Sequence, residues 1–392
     1  VVAVNTGGDV PTKVTPIIKV VGDFCNLRCG YCFYSCHDQS APHRMSDALL
    51  EQFLREYLDL FDGNCVFIWH GGEPMLAGLR LFQIAVDLQW RYTHAGHGRM
   101  KNIIQTNATL INERWARFFK ENNFRIGVSI DGDRQSHDRF RLQRGGKGSF
   151  DLVMRGVSHL REQGVPFGVI QTLPRSNLAR VEEDFLFFAD VLKLNSWGIN
   201  AFCDFHNTPF AVQESISNRE YADYIKHCVD LWLAEDRANL RIREIDSFLA
   251  GLFGKRSTSC MFNGACPRYI SVDWDGKVYP CGRFSGQEQF CFGDLTEMSL
   301  GEILVNEQRV QHTVAVQQLP QACRVCEWQP MCNNGCTYHR VETGGGMYHY
   351  CAARREIFSY LSTKVTEYEK IRKGGKTDAW SERDVGSVCT SR

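Results

Sequence analysis

The chain of 392 residues is 43% hydrophobic with 34 glycines, the composition of an ordinary globular protein with room for two or three domains. Lys plus Arg and Asp plus Glu are both 45, so the formal charge is zero and no broad basic face is left to hold a nucleic-acid backbone. No apolar stretch approaches the roughly 20 residues of a membrane span, and the opening VVAVNTGGDVPTK lacks the regions of a signal peptide. Neither nucleic acid nor membrane is therefore an expected partner, and the expected compartment is the cytoplasm. There, 17 cysteines are unusual: a reducing compartment disfavours disulfides, so clustered cysteines point to metal or redox chemistry.

From Pro16 to about Trp232 short β-branched runs alternate with amphipathic helices. The expected strands are IIKVV (17–21), CVFIW (65–69), NIIQT (102–106), RIGVSI (125–130), FGVIQT (167–172) and WGINAF (197–202). Between the first two, Ser46 can cap a helix whose Leu50, Phe53, Leu54, Tyr57, Leu58 and Phe61 recur at helical spacing as one buried stripe. Between the fourth and fifth, Val153, Val157 and Leu160 share a helix face that stops at Gly164, where a left-handed conformation is tolerated. Strands alternating with helices predict a parallel sheet with right-handed crossovers, and in such sheets ligands gather beyond the carboxyl ends of the strands. Three distinctive motifs fall there: FCNLRCGYCFY (24–34), HGGEP (70–74) and QTNAT (105–109). After Trp232 the pattern lapses. From Cys260 to Cys351 the chain is loop-rich and holds nine cysteines, which predicts a separate region held by metal; the polar tail from about Gly374 is expected to be mobile.

Cys25, Cys29 and Cys32 are spaced C-x3-C-x2-C, so one short loop can wrap three thiolates round a single inorganic centre. Zinc would close its site with a fourth ligand, for which Cys36 and His37 are available. An iron–sulfur cubane held by only three cysteines instead leaves one iron open. CNLRCGYC resembles the signature of radical S-adenosylmethionine enzymes, with Tyr31 the aromatic residue before the last cysteine. The resemblance implies that the cofactor chelates the open iron and is cleaved to methionine and a 5′-deoxyadenosyl radical, which takes a hydrogen atom from substrate. It also implies cofactor-holding roles for His70, Gly71, Gly72 and Glu73 in HGGEP, for Asn107, Ser129 and Asp131 at strand ends, and for Arg141 in HDRFR, facing the cofactor carboxylate. As plain structure, HGGEP is a strand-to-helix turn and Arg141 a surface arginine.

The C-terminal cysteines form a longer pattern. Cys260, Cys266 and Cys281, the last as G-x4-C after Gly276, precede a C-x2-C-x5-C-x3-C run at Cys323, Cys326, Cys332 and Cys336, with Cys351 beyond. Zinc ribbons use C-x2-C pairs, but the whole order is similar to the SPASM domain of radical enzymes that modify peptides and proteins. That resemblance implies one auxiliary cluster on Cys260, Cys266, Cys281 and Cys336, and a second on Cys323, Cys326, Cys332 and Cys351, hence three 4Fe–4S clusters in all. Of the other cysteines, Cys65, Cys203, Cys228, Cys291 and Cys389 read as small core hydrophobes or incidental thiols, while Cys36 lies close to the first cluster in sequence.

The implied architecture is an α/β fold: a partial (β/α)6 radical S-adenosylmethionine barrel with a C-terminal SPASM domain binding auxiliary iron–sulfur clusters. Its expected parts are an N-terminal extension (1–15), the barrel (16–235), a bridging segment with the SPASM domain (236–372) and a tail (373–392). The GGEP, QTN, SIDG and HDRFR stretches follow the pattern of anaerobic sulfatase maturases. Those maturases place an aspartate, the base for the oxidised serine or cysteine, after the cysteine matching Cys281; here it is Gly282, and His70 stands where they usually have glutamine. The two departures favour the neighbouring maturases of ribosomal peptides, which join side chains oxidatively. Formylglycine formation by a sulfatase-type maturase is the alternative, and a non-catalytic iron–sulfur electron carrier is the alternative of another class. The expected partners are a precursor peptide or protein and an electron donor such as flavodoxin or ferredoxin. Asp204, His206 and Asp273 are unplaced candidates for the missing base.

Overall fold

A computed structural model describes residues 13–32, 42–94, 96, 98–234, 240–344 and 346–374, with side chains of the last helix described to residue 365. One sheet of ten strands runs through these residues. The strands are β1 (Thr15–Lys19), β2 (Cys65–Trp69), β3 (Met100–Thr106), β4 (Arg125–Ser129), β5 (Phe167–Leu173), β6 (Ser196–Ala201), β7 (Arg241–Ile242), β8 (Tyr269–Asp273), β9 (Lys277–Tyr279) and β10 (Gly293–Asp294). Strands β1 to β7 lie side by side in chain order, every neighbouring pair parallel. The six expected strands are β1 to β6.

Helices α1 (Asp47–Leu60), α2 (Leu79–His94), α3 (Glu113–Glu121), α4 (Arg134–Asp138) and α5 (Phe150–Glu162) fill the crossovers. Ser46 caps α1 by accepting the Leu49 N–H at 3.1 Å, and Leu50, Phe53, Leu54, Tyr57 and Leu58 are buried as their spacing predicts. Gly164 follows α5 with φ +62°. Alternate residues of the strands serve opposite faces: Ile18, Trp69, Ile104 and Val128 join the large core under the helices, while Ile17, Ile68 and Ile103 pack together on the other face.

The cysteine-rich region is not separate. Strand β8 pairs in parallel with β1, from Thr15 opposite Tyr269 to Lys19 opposite Asp273, and β9 and β10 continue the sheet antiparallel. The YISVD run of β8 offers one apolar face and finds its partner at the open edge of the barrel, where unpaired backbone groups would otherwise remain. Past the expected boundary at residue 235, β7 also extends the sheet. The C-terminal helix Cys351–Gly374 packs on the helix Asn218–Ala234, tied by Asn218 to the His349 carbonyl at 2.9 Å and by the Ala353 N–H to Asn218 at 3.0 Å. Residues 1–12, 33–41 (with Cys36 and His37) and 375–392 (with Cys389) lie outside the described residues.

Candidate active site

The loops after β1, β2 and β3 are fastened to one another. The N–H of Gly72 reaches the Gly22 carbonyl at 2.8 Å and that of Glu73 the Phe24 carbonyl at 2.9 Å. This approach requires glycine: a Cβ on Gly72 would stand 2.0 Å from the Phe24 oxygen, and Gly71 adopts φ +114°. Glu73 is fully buried. Its carboxylate accepts from Met75 N–H (3.1 Å), Thr106 Oγ1 (2.8 Å) and Asn107 N–H (2.7 Å), so it locks HGGEP to QTNAT. Asn107 then donates to Asn26 at 2.9 Å and approaches the Cys25 sulfur at 3.6 Å.

These loops open onto a cavity lined on this side by Cys25, Cys29, Tyr31, Cys32, His70, Gly71, Gly72, Asn107, Ser129 and Arg141. Seven of the nine residues expected to hold the cofactor thus line the same cavity as the three cysteines, while Glu73 and Asp131 lie behind its wall. Asp131 is fully buried and spent on protein donors: it takes Arg141 Nη2 and the Thr172 N–H at 2.9 Å each, and the Tyr31 hydroxyl. Its carboxylate anchors Arg141 instead of lining the site. Arg141 is no surface arginine; it lines the cavity, is 1% exposed, and its buried Nε has no hydrogen-bond partner.

Across the cavity stand Asn200, Ala201, Phe202 and Cys203, at the carboxyl end of β6, and Arg283 after β9. Sequence reasoning missed this wall. The rule that drew attention to the ends of β1 to β3 applies equally to NAFC after β6, and Arg283 is two residues past Cys281. Of the unassigned cysteines, Cys65 and Cys228 are core residues as expected, but Cys203 faces the cavity, its thiol pushed up to about 12 mainly by burial. The candidate bases do not line the cavity. Asp204 accepts the His206 N–H at 3.0 Å, His206 is exposed, and Asp273 forms an ion pair with Lys19 at 3.3 Å. Among the described residues no carboxylate lines the wall.

The donor sets suit iron–sulfur clusters. Cys323, Cys326, Cys332 and Cys351 line one small cavity together, as the expected second auxiliary set. The Cys281 thiol is pushed up to about 12 by burial and then by the neighbouring Cys336 and Cys266 sulfurs, and Cys25 is raised by burial, Glu73 and Cys29. Such crowded, buried thiols ionise readily only against a cation, which iron supplies.

Two family models match the chain: the radical SAM superfamily over residues 20–188 and an iron–sulfur cluster-binding domain, SPASM, over residues 260–327. Among curated relatives, a cysteine-type anaerobic sulfatase-maturating enzyme of Clostridium perfringens is 29% identical over 89% of this chain and 96% of its own. A serine-type anaerobic sulfatase-maturating enzyme of Bacteroides thetaiotaomicron is 29% identical over 88% and 89%. Among solved structures, native anSMEcpe with bound AdoMet and Cp18Cys peptide superposes with a TM-score of 0.81 at 27% identity, covering 93% of this chain and 100% of that one. Streptococcus suis SuiB bound to precursor peptide SuiA has a TM-score of 0.64 at 14% identity over 88% and 77%, a likeness of fold.

Proposed function

We propose, for a chain that is a radical S-adenosylmethionine protein with a SPASM domain, that it oxidises a residue of a peptide or protein, and that conversion of a cysteine or serine side chain to an aldehyde is the product to test first. The observation that supports this best is the cavity itself, which runs from the three-cysteine loop to the wall of Asn200, Cys203 and Arg283 beside the Cys281 and Cys336 set. The relatives favour the aldehyde over the side-chain crosslink suggested by Gly282 and His70: they carry the sulfatase-maturating name over nearly the whole chain, while the neighbour with a precursor peptide supports the fold alone.

When bound, the open cluster and S-adenosylmethionine supply the radical that removes hydrogen from substrate. The chain's own contribution is placement. Cys25, Cys29 and Cys32 would hold the first cluster, Glu73 keeps the glycine loop against them, and Arg141 presents an unused N–H to a cofactor carboxylate. Two auxiliary sets make three clusters, and a flavodoxin or ferredoxin is the proposed electron donor.

The crosslink remains a second reading for two reasons: no carboxylate among the described residues lines the cavity, and residue 282 is glycine. Formation of an aldehyde removes a proton from the hydroxyl or thiol as the radical is oxidised, for which a base within reach is the usual means; ring attack can lose its proton later. Anaerobically reconstituted protein given a sulfatase-type cysteine peptide, and its serine counterpart, is expected to yield 5′-deoxyadenosine and an aldehyde trapped by hydrazine. Deoxyadenosine without aldehyde, with loss of two hydrogens from a cognate precursor, promotes the crosslink. No deoxyadenosine contradicts both and leaves the electron carrier.

A further inference from the structure

The two guanidinium groups on the cavity wall are partnered differently. Arg141 is held by Asp131 at 2.9 Å. Arg283 is 9% exposed and has no carboxylate at ion-pair distance among the described residues; its Nη1 lies 3.2 Å from His339 Nε2, and its buried Nε has no hydrogen-bond partner. Arginine only donates, so His339 Nε2 must accept, which leaves the imidazole proton on Nδ1, 3.8 Å from the Cys203 sulfur. A neutral histidine holds the guanidinium in place without cancelling its charge. The Tyr338 ring, 5.5 Å from the guanidinium carbon, supports the same pose.

A second donor waits on that wall. Asn200 Oδ1 accepts from Arg243 Nη2 at 2.6 Å, which fixes the amide orientation and leaves the buried Nδ2 without a partner. Two unused donors, one of them charged, on the wall of a cavity that no carboxylate lines among the described residues fit an anionic acceptor. From this we propose that Arg283, with Asn200 beside it, binds a carboxylate of the substrate. The chain would then select a peptide with an acidic group, a Glu or Asp side chain or a free C-terminal carboxylate, adjoining the residue it oxidises. The inference rests on the peptide-oxidising reading above. A role confined to offsetting the Cys281 and Cys336 thiolates would give no such selectivity.

The test uses the anaerobically reconstituted full chain and three fluorescent cysteine peptides that differ beside the cysteine: glutamate, glutamine, or a free chain terminus. Anisotropy should show both acids, or the one whose source is correct, bound about tenfold more tightly than the glutamine peptide. Arg283→Gln should remove the difference without loss of iron and sulfide. Arg283→Lys keeps the charge but not the fork, and should bind acid peptides more weakly than wild type yet more tightly than the amide. Equal binding of all three by wild type, or a preference that survives Arg283→Gln, overturns the inference and leaves the peptide reading standing. Binding of none contradicts that reading, and the inference with it. Should Arg283→Gln lose its clusters or its fold, Arg283→Lys decides: wild-type affinity for the acids in that variant overturns the proposal.

Discussion

Arg141 and Asp131 are both about 1% exposed in their side chains, and neither charge has access to water. Removing one partner from such a pair costs about 3–5 kcal/mol, because the survivor stays buried. Asp131→Asn should therefore lower the thermal midpoint and weaken S-adenosylmethionine binding, since Arg141 loses its anchor; unchanged affinity by equilibrium dialysis would show that Arg141 does not serve the cofactor. Beneath the same loop lies Asp184, whose Oδ1 would be 1.9 Å from a Cβ at Gly132. Burial chiefly, with help from Asp133, pushes its carboxyl up from 3.8 to about 7. The folded protein keeps this proton where the unfolded chain has released it, so stability falls as pH rises from 3.8 toward about 7 and the cost is complete above that. Asp184→Asn should remove this cost, and its gain in thermal midpoint over wild type should be larger at about pH 8 than at about pH 5; an equal gain at both would refute the assignment. At this scale the sequence was informative where residues repeat a spacing, as the cysteines do, and silent where function rests on a single side chain. Arg283, Asn200 and Cys203 belong to no spacing, and their common wall exists only once β6 and β9 are assembled.

Among the elements, the β1 to β6 strands were legible because each is a β-branched run bounded by turn residues and followed by a helix with one apolar face. β8 was not. YISVD is short and sits within a cysteine-rich stretch, and its partner β1 is more than 250 positions away, a pairing no local pattern reveals. The loops between elements carry the chemistry, and their fastening is the weak point. Gly72→Ala must push the Phe24 carbonyl aside, so the loop carrying Cys25 should shift and iron should bind less fully at the first site while the auxiliary sets fill. Iron content and low-temperature electron paramagnetic resonance of the variant check this, and a wild-type first-cluster signal would contradict it. Replacing Cys25, Cys29 and Cys32 together by alanine should abolish deoxyadenosine formation, again with the auxiliary sets intact.

For the molecule as a whole, the sheet crosses from the radical domain into the cysteine-rich region, and the Lys19 to Asp273 ion pair closes that seam at 3.3 Å, with side chains 3% and 11% exposed. Asp273→Ala should destabilise both parts together, by about 3–5 kcal/mol, and not release one as an independent unit; two separate unfolding transitions would contradict the shared sheet. No helix among the described residues is long and apolar enough to cross a membrane. What this continuity produces is a cavity lined both by Cys25, Cys29 and Cys32 and by Arg283, which lies beside Cys281 and Cys336, and this is the basis for reading the chain as a peptide-oxidising enzyme. The direct measurement is isotope transfer. A sulfatase-type peptide deuterated at the cysteine β-carbon is incubated with reconstituted protein, reductant and S-adenosylmethionine, and both products are weighed by mass spectrometry. The account predicts deuterium in 5′-deoxyadenosine and an oxidised peptide; deoxyadenosine free of deuterium beside unchanged peptide would contradict it for this substrate class.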